Sequence, residues 1–254
     1  EVRHLDLVFA HAHLAGLGWG TLMVMGAGYR MLPIILPAAM PRGRWVYASS
    51  VLVQTGVVGL VGGFLVGGVA VAFFAFVSVA GVGVFLSRVL WMLRHRKPAP
   101  TEMPQPDWGT WHAMQAMLYL VTALGLGVYL AFAQASETGL RIAMAYGVVG
   151  LVGFLSQIIV GVEARILPLF GWLLGFADRG HAEQPPSLHT APVRALLAIV
   201  FYLWTAGVPL LAGGLAMDRA NLVSAGAGGL CLAVILSLAN AVTVLGRLWR
   251  RSRS

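Results

Sequence analysis

Seven apolar runs, each about as long as a bilayer is thick when wound as a helix, take up most of this 254-residue chain. They cover roughly Leu7–Leu32, Val46–Gly67, Gly68–Leu93, Trp108–Gln134, Leu140–Leu167, Pro192–Leu215 and Asn221–Leu248. No water reaches the hydrocarbon core to pair backbone N–H and C=O groups, so runs of about 20 residues must satisfy them internally as α-helices. The expected fold class is therefore all-α, a polytopic transmembrane helical bundle of about seven helices. Charged residues make up only 10% of the chain, against about a quarter in soluble domains, which leaves little for an aqueous domain. Between the second and third runs, Gly67 and Gly68 provide no more than a tight turn.

The few charges set an orientation. Alternating the spans puts Arg3, Arg141 and Arg219 on the side of residue 1, and the other fourteen Lys and Arg residues on the opposite side. Basic loops stay cytoplasmic. The expected location is the cell inner membrane, multi-pass, with the N-terminal end of the chain periplasmic or external and the C-terminus cytoplasmic. The net charge of +8 is thus a topology signal. It is spread over helix ends without a polar scaffold and implies no nucleic-acid partner. The lone Cys231 lies within the last run, which excludes a disulfide framework and predicts a packing role.

An internal duplication is visible. Gly26-Ala27-Gly28-Tyr29-Arg30-Met31-Leu32-Pro33 closes the first run, and Gly161-Val162-Glu163-Ala164-Arg165-Ile166-Leu167-Pro168 closes the fifth. Both read G-x-x-x-R-x-L-P, with Pro expected to stop the helix and Arg to reach the headgroups. The third and seventh runs both end in Leu-Trp followed by basic residues, at Leu90-Trp91 and Leu248-Trp249. Spans one to three therefore match spans five to seven, and span four leads the second unit. The expected organisation is a first membrane unit over 1–97, a Pro-rich cytoplasmic linker over 98–107 and a second membrane unit over 108–254. In this scheme a four-helix unit is duplicated, with the first helix of unit one missing. The chain opens on Glu1 rather than Met, and the scheme expects at least one further span ahead of it.

The longest loop is expected over Phe170–Ala191, with a short interfacial helix near Trp172–Phe176 and with His181 and His189 solvated. Gly59, Gly63 and Gly67 recur every four residues, a spacing that lets helix backbones approach closely in lipid. Glu163 is the one carboxylate well inside a span end. It is either a hydrogen-bonded structural group or a proton-admitting one. Arg165, two residues on, does not face it on a helix.

Chemistry concentrates in Ala10-His11-Ala12-His13-Leu14-Ala15-Gly16-Leu17-Gly18-Trp19-Gly20. Ionisable groups inside a span are costly, which makes them functional candidates. Two residues apart on a helix, His11 and His13 point about 200° apart and serve different centres rather than one metal. Three readings stand: haem ligation, with the surrounding Ala and Gly leaving room for a macrocycle; copper, with Met144 and Met217 as further soft ligands; and plain packing. His112, between Trp108 and Trp111, reads as an interfacial packing residue, and His4 as a headgroup-level one.

The segment His11–Pro33, H-A-H-L-x-G-L-G-W-G-T-L-M-V-M-G-x-G-Y-R-M-L-P, resembles the haem-copper oxidase subunit I superfamily, nearest its cbb3-type oxidase and nitric oxide reductase branch. The resemblance implies helices in arcs of four, b-type haem, and a His-x-His helix. His11 would then face a high-spin haem and His13 a low-spin haem. A complete oxygen-reducing centre in that family needs further histidines for copper and for the low-spin haem. The second unit has Tyr146 and Val148 where the first has His11 and His13. The implied function is a b-type haem protein in respiratory electron transfer or diatomic-gas handling, alongside other membrane or redox subunits, and not a complete oxidase alone. The rival expectations are a cofactor-free anchor subunit of a larger complex, and a copper-binding membrane protein.

Overall fold

The structure is a computed structural model that describes residues 2–98, 105–176 and 192–251. Its elements in chain order are α1 (Val2–His13), a π-helical segment (Leu14–Thr21), α2 (Leu22–Ile35), α3 (Arg44–Val66), α4 (Val69–Arg94), α5 (Trp108–Phe132), α6 (Glu137–Val148), a second π-helical segment (Val149–Ser156), α7 (Gln157–Phe176), α8 (Arg194–Ala216) and α9 (Ala220–Arg251). Seven continuous helical stretches are long and apolar enough to cross a membrane, and each coincides with one of the seven expected runs. The described residues contain no strand. Large apolar side chains such as Trp19, Val58, Val69 and Leu238 stand exposed, as a lipid-facing surface requires.

The chain divides into two compact units, residues 1–98 with 119–151, and residues 99–118 with 152–254. In the first, α3 and α4 form the tightest helix pair. Gly67 and Gly68 make the turn between them at φ +82° and +74°, a backbone region that favours glycine. Close approach along the pair depends on small residues. A Cβ at Gly59 would lie 2.0 Å from the Phe74 ring, and one at Gly56 would lie 2.3 Å from Ser78 Oγ. The contact stripe is thus Gly56, Gly59 and Gly63 rather than Gly59, Gly63 and Gly67, because Gly67 has already left the helix for the turn. Tyr29 of α2 ties into this pair through a 2.7 Å hydrogen bond to Ser49 Oγ and an edge-on contact with Phe85.

In the second unit, α8 packs on α9 and α9 on α7. The α8–α9 approach is again set by glycine: a Cβ at Gly226 would meet the Leu211 backbone nitrogen at 2.5 Å. The start of α5 reaches α7 through Gly109 and Gly161, and Asp107 pairs with Arg165. Trp204 donates its indole N–H to the Val152 carbonyl at 3.2 Å.

Three local expectations change. Pro168 does not end its helix: α7 continues through it to Phe176, so the first part of the expected loop, Phe170–Phe176, is helical, and the short helix expected near Trp172–Phe176 is the end of α7; residues 177–191 lie outside the described ones. Pro removes only its own N–H, and a neighbouring turn can carry the helix past it. Pro33 likewise lies inside α2, two residues from its end. Cys231 is exposed rather than packed. His181, His189 and most of the Pro-rich linker lie outside the described residues, as does the side chain of His4.

The π-helical segments are the feature that apolar periodicity does not announce. Each is eight residues long. Leu14 and Val149, which open them, are 135 residues apart, as are Gly26 and Gly161 of the repeated motif. The same 135-residue interval thus relates the repeated motif and two stretches of an unusual backbone state. Thr21, closing the first segment, donates its hydroxyl to the Gly16 carbonyl five residues back at 2.8 Å, in keeping with the wider turn.

Candidate functional site

The first π-helical segment begins immediately after His13. Such segments are rare and often accompany functional positions. The His13 ring is half-buried, and both of its nitrogens have partners. Nδ1 lies 2.8 Å from the Phe9 carbonyl, one turn earlier in α1, and Nε2 lies 3.3 Å from the Tyr146 hydroxyl of α6. A carbonyl only accepts, so Nδ1 donates and Nε2 is the lone-pair nitrogen, accepting from Tyr146. The ring stacks against Tyr146 at 5.8 Å between centroids and tilts against Phe64 of α3 at 5.2 Å.

This arrangement fits an axial haem ligand in one respect. Metal-bound imidazoles commonly donate their second ring N–H to a carbonyl, which fixes tautomer and ring orientation. His13 has that bond in place, with Nε2 directed away from its own helix. The coordinating position is filled by the Tyr146 hydroxyl, so ligation requires that hydroxyl to turn aside. The room expected around the small residues is partly taken: a Cβ at Gly18 would lie 3.1 Å from Val57. Open space is on the other face, where His11, Ala12 and Ala15 are exposed. The structure therefore separates the two histidines as their spacing predicts, His13 inward and His11 outward. Among the described residues, no group of three or more His, Cys, Asp and Glu gathers to hold a metal ion.

His112 is buried in the second unit, 1% exposed, and packs edge-on against Phe201 of α8. Its Nδ1 lies 3.4 Å from Nε2 of Gln157, itself fully buried at the start of α7. Among the described residues, His112 Nε2 and Gln157 Oε1 have no hydrogen-bond partner. The expected packing role holds, though the residue is interior to its unit rather than at an exposed rim. Sequence reasoning missed Gln157 and the partnership of Tyr146. A lone amide in Leu155-Ser156-Gln157-Ile158-Ile159 was a usable signal, since polar groups within a span face protein rather than lipid. Nothing local signalled a contact between His13 and a residue 133 positions on.

No family model, curated protein or solved structure matches this chain.

Proposed function

We propose that this polytopic helical protein is a membrane b-type haem protein working in electron transfer or diatomic-gas handling beside other redox subunits, with His13 as an axial ligand. The observation that carries the reading is the Nδ1–H bond from His13 to the Phe9 carbonyl, which leaves Nε2 as the coordinating nitrogen. When bound, haem would supply the one-electron or gas-binding chemistry. The chain's own part is to hold the imidazole through Phe9, Phe64 and the Tyr146 ring, and to exclude water with the apolar wall of α3. Exposed His11 offers a second imidazole to a group shared with a partner subunit. The inner-membrane orientation, N-terminal end outside and C-terminus cytoplasmic, belongs to the same reading.

The test is a visible spectrum of protein purified from haem-replete cells. A Soret band with a reduced α-band is expected, and His13→Ala should abolish or shift it while His112→Ala leaves it intact. Haem absorption that survives His13→Ala and vanishes with His112→Ala would overturn the assignment.

A second reading, a cofactor-free anchor subunit, draws on the Tyr146–His13 hydrogen bond, which already satisfies the nitrogen that haem would take. In that case the fully loaded complex shows no haem assignable to this chain. The variant in which both His11 and His13 are Ala then leaves its spectrum and turnover unchanged. Metal analysis of the same sample decides the copper reading.

A further inference from the structure

Glu163 is the residue the proposed haem site does not use. It lies in α7, inside a stretch long and apolar enough to cross a membrane, and is half-buried. Among the described residues it has no hydrogen bond and no ion pair. The basic side chains nearest in sequence are engaged elsewhere: Arg165 pairs with Asp107, and Arg194 donates to the Gln105 carbonyl. A carboxylate within a membrane-crossing stretch without a counter-charge is costly, and such groups mark binding or transport sites by default.

What surrounds Glu163 is a half-open cleft whose cavity volume is about 20 Å³, room for one group the size of a water molecule or an ammonium head. Two helix faces and the first turn of a third build it. On α7, Glu163 and Leu167 are four residues apart and share a face. On α9, Ser237, Asn240 and Val244 follow at three and four residues along one stripe. Leu197 of α8 closes the wall. Asn240 is held in place because its Oδ1 accepts the Val193 N–H at 2.9 Å, just before α8 begins. That oxygen keeps a second lone pair, and the Ser237 hydroxyl has no hydrogen bond among the described residues. The cleft therefore offers one negative charge and further oxygen acceptors among apolar side chains, beside the first turn of α8 and level with the start of α5, whose Gly109 meets Gly161 of α7.

We infer that this cleft binds a primary ammonium group carried on an apolar body, the headgroup of a phosphatidylethanolamine-type lipid. The ammonium supplies the charge Glu163 lacks and has three N–H donors for the carboxylate, Ser237 Oγ and the free lone pair of Asn240. An acyl chain continues along Leu167, Leu197 and Val244. A position at helix ends sets such a headgroup level with the bilayer surface. The trimethylated headgroup of phosphatidylcholine has the charge but no N–H to donate, so it meets the acceptors poorly.

The experiment is lipid retention by the intact purified protein. Protein is delipidated and exchanged with equal amounts of phosphatidylethanolamine and phosphatidylcholine of identical acyl chains, and bound lipid is read by native mass spectrometry. Wild type should retain the ethanolamine lipid about tenfold over the choline lipid, a difference of about 1.4 kcal/mol. Glu163→Gln should erase that preference. Leu197→Trp, which fills the cleft from its apolar wall without touching the charge, should erase it too and covers the case in which Glu163→Gln does not fold. Equal retention of both lipids by wild type, or a preference that survives either folded variant, overturns the proposal. Dodecylamine competing the lipid away at equal concentration would also overturn the lipid assignment, since the site would then be one for free amphiphilic amines.

Discussion

The Tyr146 hydroxyl lies 3.3 Å from Nε2 of His13, and their rings stack with planes 27° apart. Tyr146 stands 135 residues after His11, the same interval that separates the two repeated motifs. A position matching a histidine in one repeat thus supplies a hydroxyl to the neighbouring histidine of the other. Tyr146→Phe separates the two functional readings. It keeps the ring stack and removes only the O–H, which costs about 0.5–1.5 kcal/mol of stability. If Nε2 is a haem ligand, the variant should take up haem more fully, read as Soret absorbance per protein. If the pair is only structural, unfolding shifts by that amount and no haem band appears or grows.

The charge distribution predicts that the connection before α3 faces the cytoplasm and the one before α6 faces outside. Gly43 is a poor labelling site because its φ of +100° strains any side chain. Ser136 caps α6 by accepting the Gly139 N–H at 3.0 Å. Exposed Arg42 and Ala135 are better placed. A membrane-impermeant thiol reagent added to intact cells should label Ala135→Cys and spare Arg42→Cys, in a background where exposed Cys231 is replaced by Ser. The reverse pattern would invert the topology and move His11 and His13 to the cytoplasmic half.

Much of the fold was legible because lipid imposes one strong rule. Runs of apolar residues gave six of the seven spans to within a few residues and the fifth all but its end, which runs to Phe176 instead of Leu167, and Gly67-Gly68 gave the turn between α3 and α4. Helix-end chemistry was less readable. Pro33 and Pro168 look like stops, yet α7 passes through Pro168 because one missing N–H is a local loss. The π-helical segments could not be read from periodicity, since a wider turn over eight residues leaves no distinct apolar pattern. At the candidate site the opposed directions of His11 and His13 followed from helix geometry alone. The partner of His13 did not, because tertiary contacts over 133 residues have no local signature.

Glycine spacing makes a quantitative claim about α3. A Cβ at Gly59 would lie 2.0 Å from Phe74, whereas one at Gly62 meets nothing within 4 Å. Gly59→Ala must push the Phe74 ring aside and should destabilise the protein by about 1–3 kcal/mol, the usual cost of overpacking. Gly62→Ala should stay within about 0.5 kcal/mol of wild type, as surface changes do. Denaturant midpoints in one detergent compare them. Equal effects would show that close α3–α4 approach does not contribute to stability.

His112 and Gln157 test whether the buried polar pair of the second unit is a coupled unit. They are 1% and 0% exposed and meet at 3.4 Å, each with one further polar atom unpaired. Replacing one by Leu leaves the other's facing group buried without a partner, which costs about 1–3 kcal/mol. Replacing both removes every buried polar atom of the pair at once. The double variant should therefore be more stable than the two single losses sum to, by about 1 kcal/mol or more. Phe201 rests on His112 in every case, so shape is kept roughly constant by Leu. A cycle run on denaturant unfolding in one detergent gives the coupling directly. Strict additivity would mean that the 3.4 Å contact carries no energy and that the two groups are satisfied separately.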